Sequence, residues 1–309
     1  ETAYAETCAS VALILWAQRM LNIDLDGSYA DILERALYNG ALSGLSLDGT
    51  HYFYENPLES DGHHRRWRWH TCPCCTMNVS RLVASVAGYF YSTSDDTIAV
   101  HLYGGATATM VVGGKTVKLR ESSRYPWDGH IRLALDPDAP AKFHLKLRIP
   151  GWAEGTSVSV NGEPANPAGD LDRGYLDLHR TWRAGDVVDL HLPMPVERIY
   201  ANPKVRSDVG RVALARGPLV YCVEQVDNPG TPINLARIPG DADLSVEPMP
   251  HLVGEACAIV AEGASAGEWA DALYRAEPPG LRAARWTAIP YCYWNNRTPG
   301  PMAVWVRER

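Results

Sequence analysis

The hydrophobic period of the chain changes once, near Thr97, and that change limits the fold more than any other feature. Up to about residue 94 the apolar side chains recur as they do on helices. Ala9 to Leu21 is apolar nearly all round (Val11, Leu13, Ile14, Leu15, Trp16, Met20, Leu21), the pattern of a helix packed on several sides. Gly27-Ser28 interrupts it, and Ser28 is placed to cap a second helix running through Ile32, Leu33, Leu37 and Leu42. After an extended piece around His51-Tyr52-Phe53-Tyr54, Val79, Leu82, Val83, Val86 and Phe90 mark the buried face of a third helix.

From Thr97 onward the period is two. Phe143, Leu145, Leu147 and Ile149 alternate with Lys142, His144, Lys146 and Arg148, and Val188, Leu190 and Leu192 form another such set. Turn residues separate these runs, among them Pro137-Asp138, Asn161-Gly162 and Gly185-Asp186, so short strands of a β-sandwich are expected, one face packed and the other wet. The expected organisation is α + β and multidomain: helices over 1–94, a β-sandwich over 95–226, an irregular insertion or linker over 227–280, and final strands over 281–309. Trp152, Trp182, Trp286 and Trp305 fall in the β-patterned part and read as core.

Composition narrows the function classes. Of 309 residues 46% are apolar and 21% charged, which excludes a disordered chain. No run reaches the roughly 18 apolar residues of a membrane-spanning helix. The net charge of −7 argues against a nucleic-acid partner, and the basic run His63 to Arg68 is too short to reverse that. The chain opens at Glu1 without Met or signal region and already reads like the middle of a helical domain, so it is expected to be the C-terminal portion of a longer protein. Seven cysteines, three of them within four residues, do not resemble a secreted disulfide framework. A reducing, cytoplasmic setting is expected, with Cys222, Cys257 and Cys292 as small buried side chains.

The chemistry lies in Glu6-Thr7-Cys8 and Cys72-Pro73-Cys74-Cys75. Thiolates and a carboxylate suit zinc, and four of them fill a tetrahedral shell. Glu6 and Cys8 would point apart on a regular helix, so they converge only if that piece is extended or the helix begins within it. Cys74 and Cys75 share an ion only in a turn, which Pro73 favours, and the positive end of the third helix would help to hold a thiolate. The residues alone leave three readings open: a reactive metal–thiolate centre, a closed structural zinc, and buried thiols with no metal.

The phrase Ala5-Glu6-Thr7-Cys8-Ala9-Ser10, the stretch Tyr29 to Asn39, Cys72-Pro73-Cys74-Cys75 with Asn78 and Arg81, Ala215-Arg216-Gly217-Pro218-Leu219-Val220-Tyr221, and the ending Ala288-Ile289-Pro290-Tyr291 with Trp294, Asn295 and Arg297 resemble glycoside hydrolase family 127, the bacterial β-L-arabinofuranosidases. The resemblance implies the C-terminal part of an (α/α)6 barrel followed by β-sandwich domains. It implies Zn2+ held by Glu6, Cys8, Cys74 and Cys75, with Cys74 as the nucleophile of a retaining exo-glycosidase releasing terminal β-L-arabinofuranose. Glu34 and Tyr54 match positions of sugar-hydroxyl contacts. The general acid/base glutamate of the family lies upstream of the Glu-Thr-Cys segment, so the chain alone is expected to turn over natural glycosides poorly or not at all.

Beside these, Arg65, Arg66 and Arg68 with Trp67 and Trp69 could line a groove for a sugar, and His63, His64 and His70 could support the cysteines. Glu55 and Glu59 are further candidates for sugar contacts. The expected partner is a small carbohydrate, with a second copy in a homodimer also considered and neither nucleic acid nor membrane. The rival functions are a carbohydrate-binding or scaffold protein with a structural Cys3Glu zinc, and a hydrolase of another sugar acid.

Overall fold

The computed structural model describes residues 4–165, 171–250, 252, 254–267 and 273–308. It is mixed α and β, with most of its elements strands. The chain divides into two compact units: a middle unit of Cys8–Tyr38 and Thr76–Pro195, and a terminal unit of Glu1–Thr7, Asn39–Cys75 and Val196–Arg309.

Helices α1 (Thr7–Asp24) and α2 (Gly27–Arg35) open the middle unit. The cap of α2 is Asp26 rather than Ser28. Asp26 has the extended backbone of an N-cap, and its carboxylate accepts the Ser28 N–H at 2.9 Å. The Ser28 hydroxyl and then its N–H hold the Asp26 carboxyl below the usual carboxylate range. Helix α1 buries Val11, Ile14, Ala17 and Leu21 but leaves Leu13, Trp16 and Ile23 exposed, so one face is covered where the sequence suggested several. Gly27 fits because the chain passes close by: a Cβ there would meet the Arg173 carbonyl oxygen at 3.1 Å. Helix α3 (Cys74–Ser85) tightens into a 3-10 turn at Val86–Tyr89, ending its α pitch before Phe90.

Two sheets complete this unit. One runs Leu171–Asp172, Tyr175–Trp182, Ala141–Arg148, Thr97–Val100, Tyr91–Thr93. The other runs Ala106–Val112, Lys115–Ser123, His130–Pro137, Asp186–His191, Ser157–Val160, Glu163–Ala165. The predicted alternation holds through Leu147, with Phe143, Leu145 and Leu147 buried and Lys142 exposed, and breaks at its end, where Arg148 is fully buried and Ile149 half-buried. Both sheets supply one shared core, which includes Ile98, Leu119, Leu133, Leu145, Trp182 and Val188. Each such aliphatic side chain stabilises the fold by about 1.5–3 kcal/mol. Helix α2 is fastened through fully buried Arg148, which donates to Asp31 Oδ1 at 2.7 Å and to Glu34 Oε1 at 2.5 Å. Burial works against the Arg148 charge, but Glu34, Tyr125 and Asp31 outweigh it and raise its pKa.

The terminal unit centres on a sheet in which Leu219–Glu224, Leu281–Pro290 and Cys257–Ala266 are successive neighbours. The stretch 227–280 is therefore not an irregular linker. Among its described residues, Ala236–Arg237, Leu244–Pro248 and Cys257–Ala266 are strands, while 251, 253 and 268–272 lie outside the described residues. Ala, Gly and Ser concealed the long strand, since small residues carry a weak β signal. They are needed at Gly263, where a Cβ would lie 2.3 Å from the Arg237 carbonyl oxygen. Trp182 and Trp286 are buried as expected, whereas Trp152, Trp305 and Cys257 are half-buried.

Candidate metal centre

The approach to α1 is extended. Glu6 bridges Glu55 in strand fashion, and the helix begins at Thr7. Thr7 fixes the junction: its N–H donates to the Tyr54 carbonyl oxygen at 2.9 Å and its hydroxyl to that of Phe53 at 2.8 Å. Asn56 Nδ2 donates to Thr7 Oγ1 at 2.9 Å, and Ser43 Oγ donates to Asn56 Oδ1 at 3.1 Å. One residue in strand geometry followed by a helix start resolves the spacing problem of Glu6 and Cys8. The second pair is set by the turn at Pro73 into α3, which puts Cys74 and Cys75 in its first turn.

The four ligand atoms of Glu6, Cys8, Cys74 and Cys75 all lie within 4.8 Å of one another. Cys74 Sγ is 3.4 Å from Glu6 Oε1 and 3.9 Å from Cys75 Sγ, and Cys75 Sγ is 3.7 Å from Glu6 Oε1. A tetrahedron with Zn–S bonds of about 2.3 Å has S···S edges of about 3.8 Å, so the donor set fits such an ion. Charge leads to the same place. Two anions about 4 Å apart repel by about 4 kcal/mol at an effective dielectric of 20, a repulsion that a shared cation would relieve. Cys75 is fully buried; Cys74, Cys8 and Glu6 are half-buried and so remain reachable. Asn78 Nδ2 donates to Cys8 Sγ at 3.2 Å, and Arg81 Nη2 orients that amide through Asn78 Oδ1 at 2.8 Å.

Tyr54 lies beside the cluster and also beside a cavity whose described walls do not include Glu6, Cys8, Cys74 or Cys75. Its carbonyl oxygen faces Cys75 Sγ at 3.9 Å, and its ring lines a cavity of about 720 Å3 with Tyr4, His64, Arg65, Trp67 and His70 among the other walls. The hydrogen bond with Tyr4, then loss of solvent, then the nearby Glu6 carboxylate and Cys74 raise the Tyr54 pKa, keeping the phenol a donor. His63 and Glu55 also line this cavity, whereas Glu59 pairs with Arg211 at 2.9 Å.

Glu34 is placed differently from the expected sugar contact. It is 1% exposed, and Arg148 and Tyr125 each donate to its Oε1 at 2.5 Å. Both donors converge on one oxygen, and the other accepts from Trp152 Nε1 at 3.5 Å, so Glu34 is engaged by partners of its own chain. The basic run also divides. Arg65 and Arg68 are exposed, while Arg66 turns inward, stacking over Phe53 at 4.2 Å and donating to the Asn295 and Ser43 carbonyl oxygens at 2.8 and 2.9 Å. Burial lowers the Arg66 pKa to about 10, and Glu224 works the other way.

Sequence reasoning did not foresee the support behind the cavity. His64, Phe53 and Trp294 stack, with centroids 4.7 Å apart for Phe53–His64 and 4.9 Å for Phe53–Trp294. Asn295 Nδ2 donates to the His64 carbonyl oxygen at 2.8 Å, and its N–H donates to buried Glu224 at 2.9 Å. Arg297 completes the set through Glu224 and Asp227. Asn39 is a second unforeseen support: within a π turn at Ala36–Ala41 it donates to the Pro218 carbonyl oxygen and accepts the Val220 N–H, both at 2.8 Å. The signals were the phrases containing Gly217-Pro218 and Trp294-Asn295, whose partners lie some 180 to 230 residues away.

A β-rich chain that brings a carboxylate and three sulfurs to metal-ligand spacing, near an aromatic-lined cavity, has the donor set of a candidate metal–thiolate site. Residues 1–88 match the "Beta-L-arabinofuranosidase, GH127 catalytic domain", 97–194 the corresponding middle domain, and 196–307 the "Glycoside hydrolase family 127 C-terminal domain". The chain belongs to glycoside hydrolase family 127. It is 41% identical to a non-reducing end beta-L-arabinofuranosidase of Bifidobacterium longum subsp. longum, over 100% of this chain and 50% of that protein. It is similar to a crystal structure of a GH127 beta-L-arabinofuranosidase from Geobacillus stearothermophilus (TM-score 0.96, 44% identity, 100% of this chain and 51% of that one). A second solved structure, a GH127 beta-arabinofuranosidase, gives a TM-score of 0.93 at 36% identity, again over 100% of this chain and 50% of that one. The chain thus spans about half the length of these relatives. Among the described residues no helix is long and apolar enough to cross a membrane.

Proposed function

We propose that the chain carries the nucleophile and the zinc ligands of a retaining exo-glycosidase that releases terminal β-L-arabinofuranose. The observation that carries this is the convergence of Glu6, Cys8, Cys74 and Cys75 at tetrahedral spacing with Cys74 left reachable. In this reading the helices belong to an (α/α)6 barrel and the two-sheet region is a β-sandwich domain. Glu6, Cys8, Cys74 and Cys75 hold Zn2+, which when bound lowers the thiol pKa and makes the sulfur a better leaving group.

Cys74 Sγ attacks the anomeric carbon, forming a C–S bond as the glycosidic C–O bond breaks and its electron pair leaves with the aglycone oxygen. The aglycone oxygen takes a proton from the general acid/base glutamate that the family resemblance places upstream of Glu6; water then attacks the same carbon from the face the aglycone left, returning a proton to that carboxylate as the C–S bond breaks and Cys74 returns to thiolate. Two inversions give net retention. Cys75, being buried, is a ligand and not the attacking group. Tyr54, held as a phenol, donates a hydrogen bond to a sugar hydroxyl in the cavity.

The test uses the protein as its gene encodes it, with an electrophile built on a β-L-arabinofuranosyl ring. A covalent adduct on Cys74 is expected, together with loss of adduct and a fall in turnover on the order of 10³-fold or more in Cys74→Ser. An adduct on another residue, or full turnover by Cys74→Ser, overturns the proposal.

A further inference from the structure

Cys72 is the one member of the Cys-Pro-Cys-Cys run outside the four-ligand group, and it is exposed. It is nevertheless directed at that group, since its thiol donates to Cys74 Sγ at 3.7 Å. The backbone holds it there: the Cys72 N–H donates to His70 Nδ1 at 3.1 Å, and Pro73 turns the chain into α3. A disulfide needs an S–S distance of about 2.05 Å, so the two sulfurs need to close by only roughly 1.7 Å. The other sulfurs near Cys74 are Cys75, fully buried within α3 and adjacent in sequence, and Cys8, within 4.8 Å and half-buried in the first turn of α1, both fixed in helices.

We infer that Cys72 is a resolving thiol for Cys74: a hydroperoxide oxidises Cys74, and Cys72 captures it as a Cys72–Cys74 disulfide that withdraws one sulfur from the metal-ligand set. This rests on the reading of Cys74 as a reachable thiolate. In the first step the Cys74 sulfur attacks a peroxide oxygen, the O–O bond breaks, and sulfur gives up two electrons to become a sulfenic acid while the other oxygen leaves as water or alcohol. In the second step the Cys72 sulfur attacks Cys74 sulfur, the S–O bond breaks, and hydroxide departs as water with the Cys72 proton. With hydrogen peroxide, two thiols and one peroxide give one disulfide and two waters. Glu6, Cys8 and Cys75 then remain as three donors, and the site loosens its hold on the ion until a thiol reductant restores it.

The experiment treats the full-length, zinc-loaded protein with one equivalent of hydrogen peroxide and reads mass, fragments and released zinc. Wild type is expected to lose about 2 Da, to carry the link between Cys72 and Cys74 in its fragments, to release zinc, and to recover on reduction. Cys72→Ser is expected to form no such link and to show at least about tenfold more dimedone adduct at Cys74, because the sulfenic acid persists. A wild-type link from Cys74 to Cys75 or Cys8, or equal dimedone labelling of both proteins, overturns the inference. If the arabinofuranosyl electrophile labels Cys74 while Cys72→Ser oxidises like wild type, the resolving role alone fails; if neither electrophile nor dimedone reaches Cys74, the functional reading fails with it.

Discussion

Glu34 within α2 and Glu6 just before α1 are carboxylates of the same chain, and they are balanced in opposite ways. Glu34 is sealed from water against a fixed guanidinium and a tyrosine hydroxyl. Glu6 is half-buried, and its nearest neighbours are thiols that become anions themselves. A carboxylate with its own cation is complete and makes structure. A carboxylate among thiols is complete only when protons or a metal supply the positive charge, and that need makes it chemically useful. Glu121 is a third case, buried against neutral donors only: the Tyr91 hydroxyl at 2.8 Å and the Gly104 N–H at 2.5 Å. Burial pushes its pKa up to about 7.

The sharpest way to break this comparison is to remove the cation. Arg148→Ala leaves Glu34 buried and unpaired, and a loss of about 3–5 kcal/mol is expected in denaturant unfolding. Arg148→Met combined with Glu34→Gln should lose clearly less than the single Arg148 change. Equal losses would mean that packing, not charge, holds α2 in place.

A smaller effect concerns pH. Glu121 takes up its proton more readily folded than unfolded, so between about 4.5 and 7 its contribution to stability falls as pH rises. His101, buried against Tyr175 and Ser92, is depressed to about 4, chiefly by burial, so between about 4 and 6.5 its contribution rises with pH. The two slopes oppose each other. Glu121→Gln is expected to uncover the His101 slope, so that the variant gains up to about 3 kcal/mol relative to wild type from pH 4.5 to 7. A wild-type-minus-variant difference that stays flat with pH would contradict that environment for Glu121.

The smallest stability effect belongs to Glu6→Gln. Without metal, stability should change by less than about 0.5 kcal/mol, as for other incompletely buried sites, while zinc affinity falls by more than about 100-fold. Calorimetric titration with zinc checks the affinity, and denaturant unfolding of the metal-free protein checks the stability. A large loss of stability in metal-free protein would place Glu6 with Glu34, as a structural carboxylate.

The alternation from Lys142 to Leu147 was readable because burial on a two-residue period leaves its mark in any strand with one wet face, and it fails at Arg148, which turns inward to pair with α2. The sulfur cluster was readable for a chemical reason: few arrangements other than a metal site draw a carboxylate and three cysteines together. Asp26 was missed in favour of Ser28 because both are good caps and only the backbone geometry distinguishes them. The strand Cys257–Ala266 was missed because its small residues serve close packing and carry little periodic signal. Arg66, Asn295 and Asn39 act through partners far along the chain, and a local reading of a basic run or a helix end contains no trace of them. Glu34 reads as a helical carboxylate until Arg148, more than a hundred residues later, lies beside it.

The π turn at Ala36–Ala41 makes chain length itself a structural variable. Such a turn accommodates more residues than α pitch allows, and each residue of an ordinary helix advances the azimuth by about 100°. Deleting a single amino acid there would permit regular coiling but swing the Asn39 amide off the edge of Leu219–Glu224, leaving the Val220 N–H without its acceptor. Variation by one codon should therefore be far less tolerated at this point than in the exposed turn around Gly113 and Gly114, where a side chain would meet only open space.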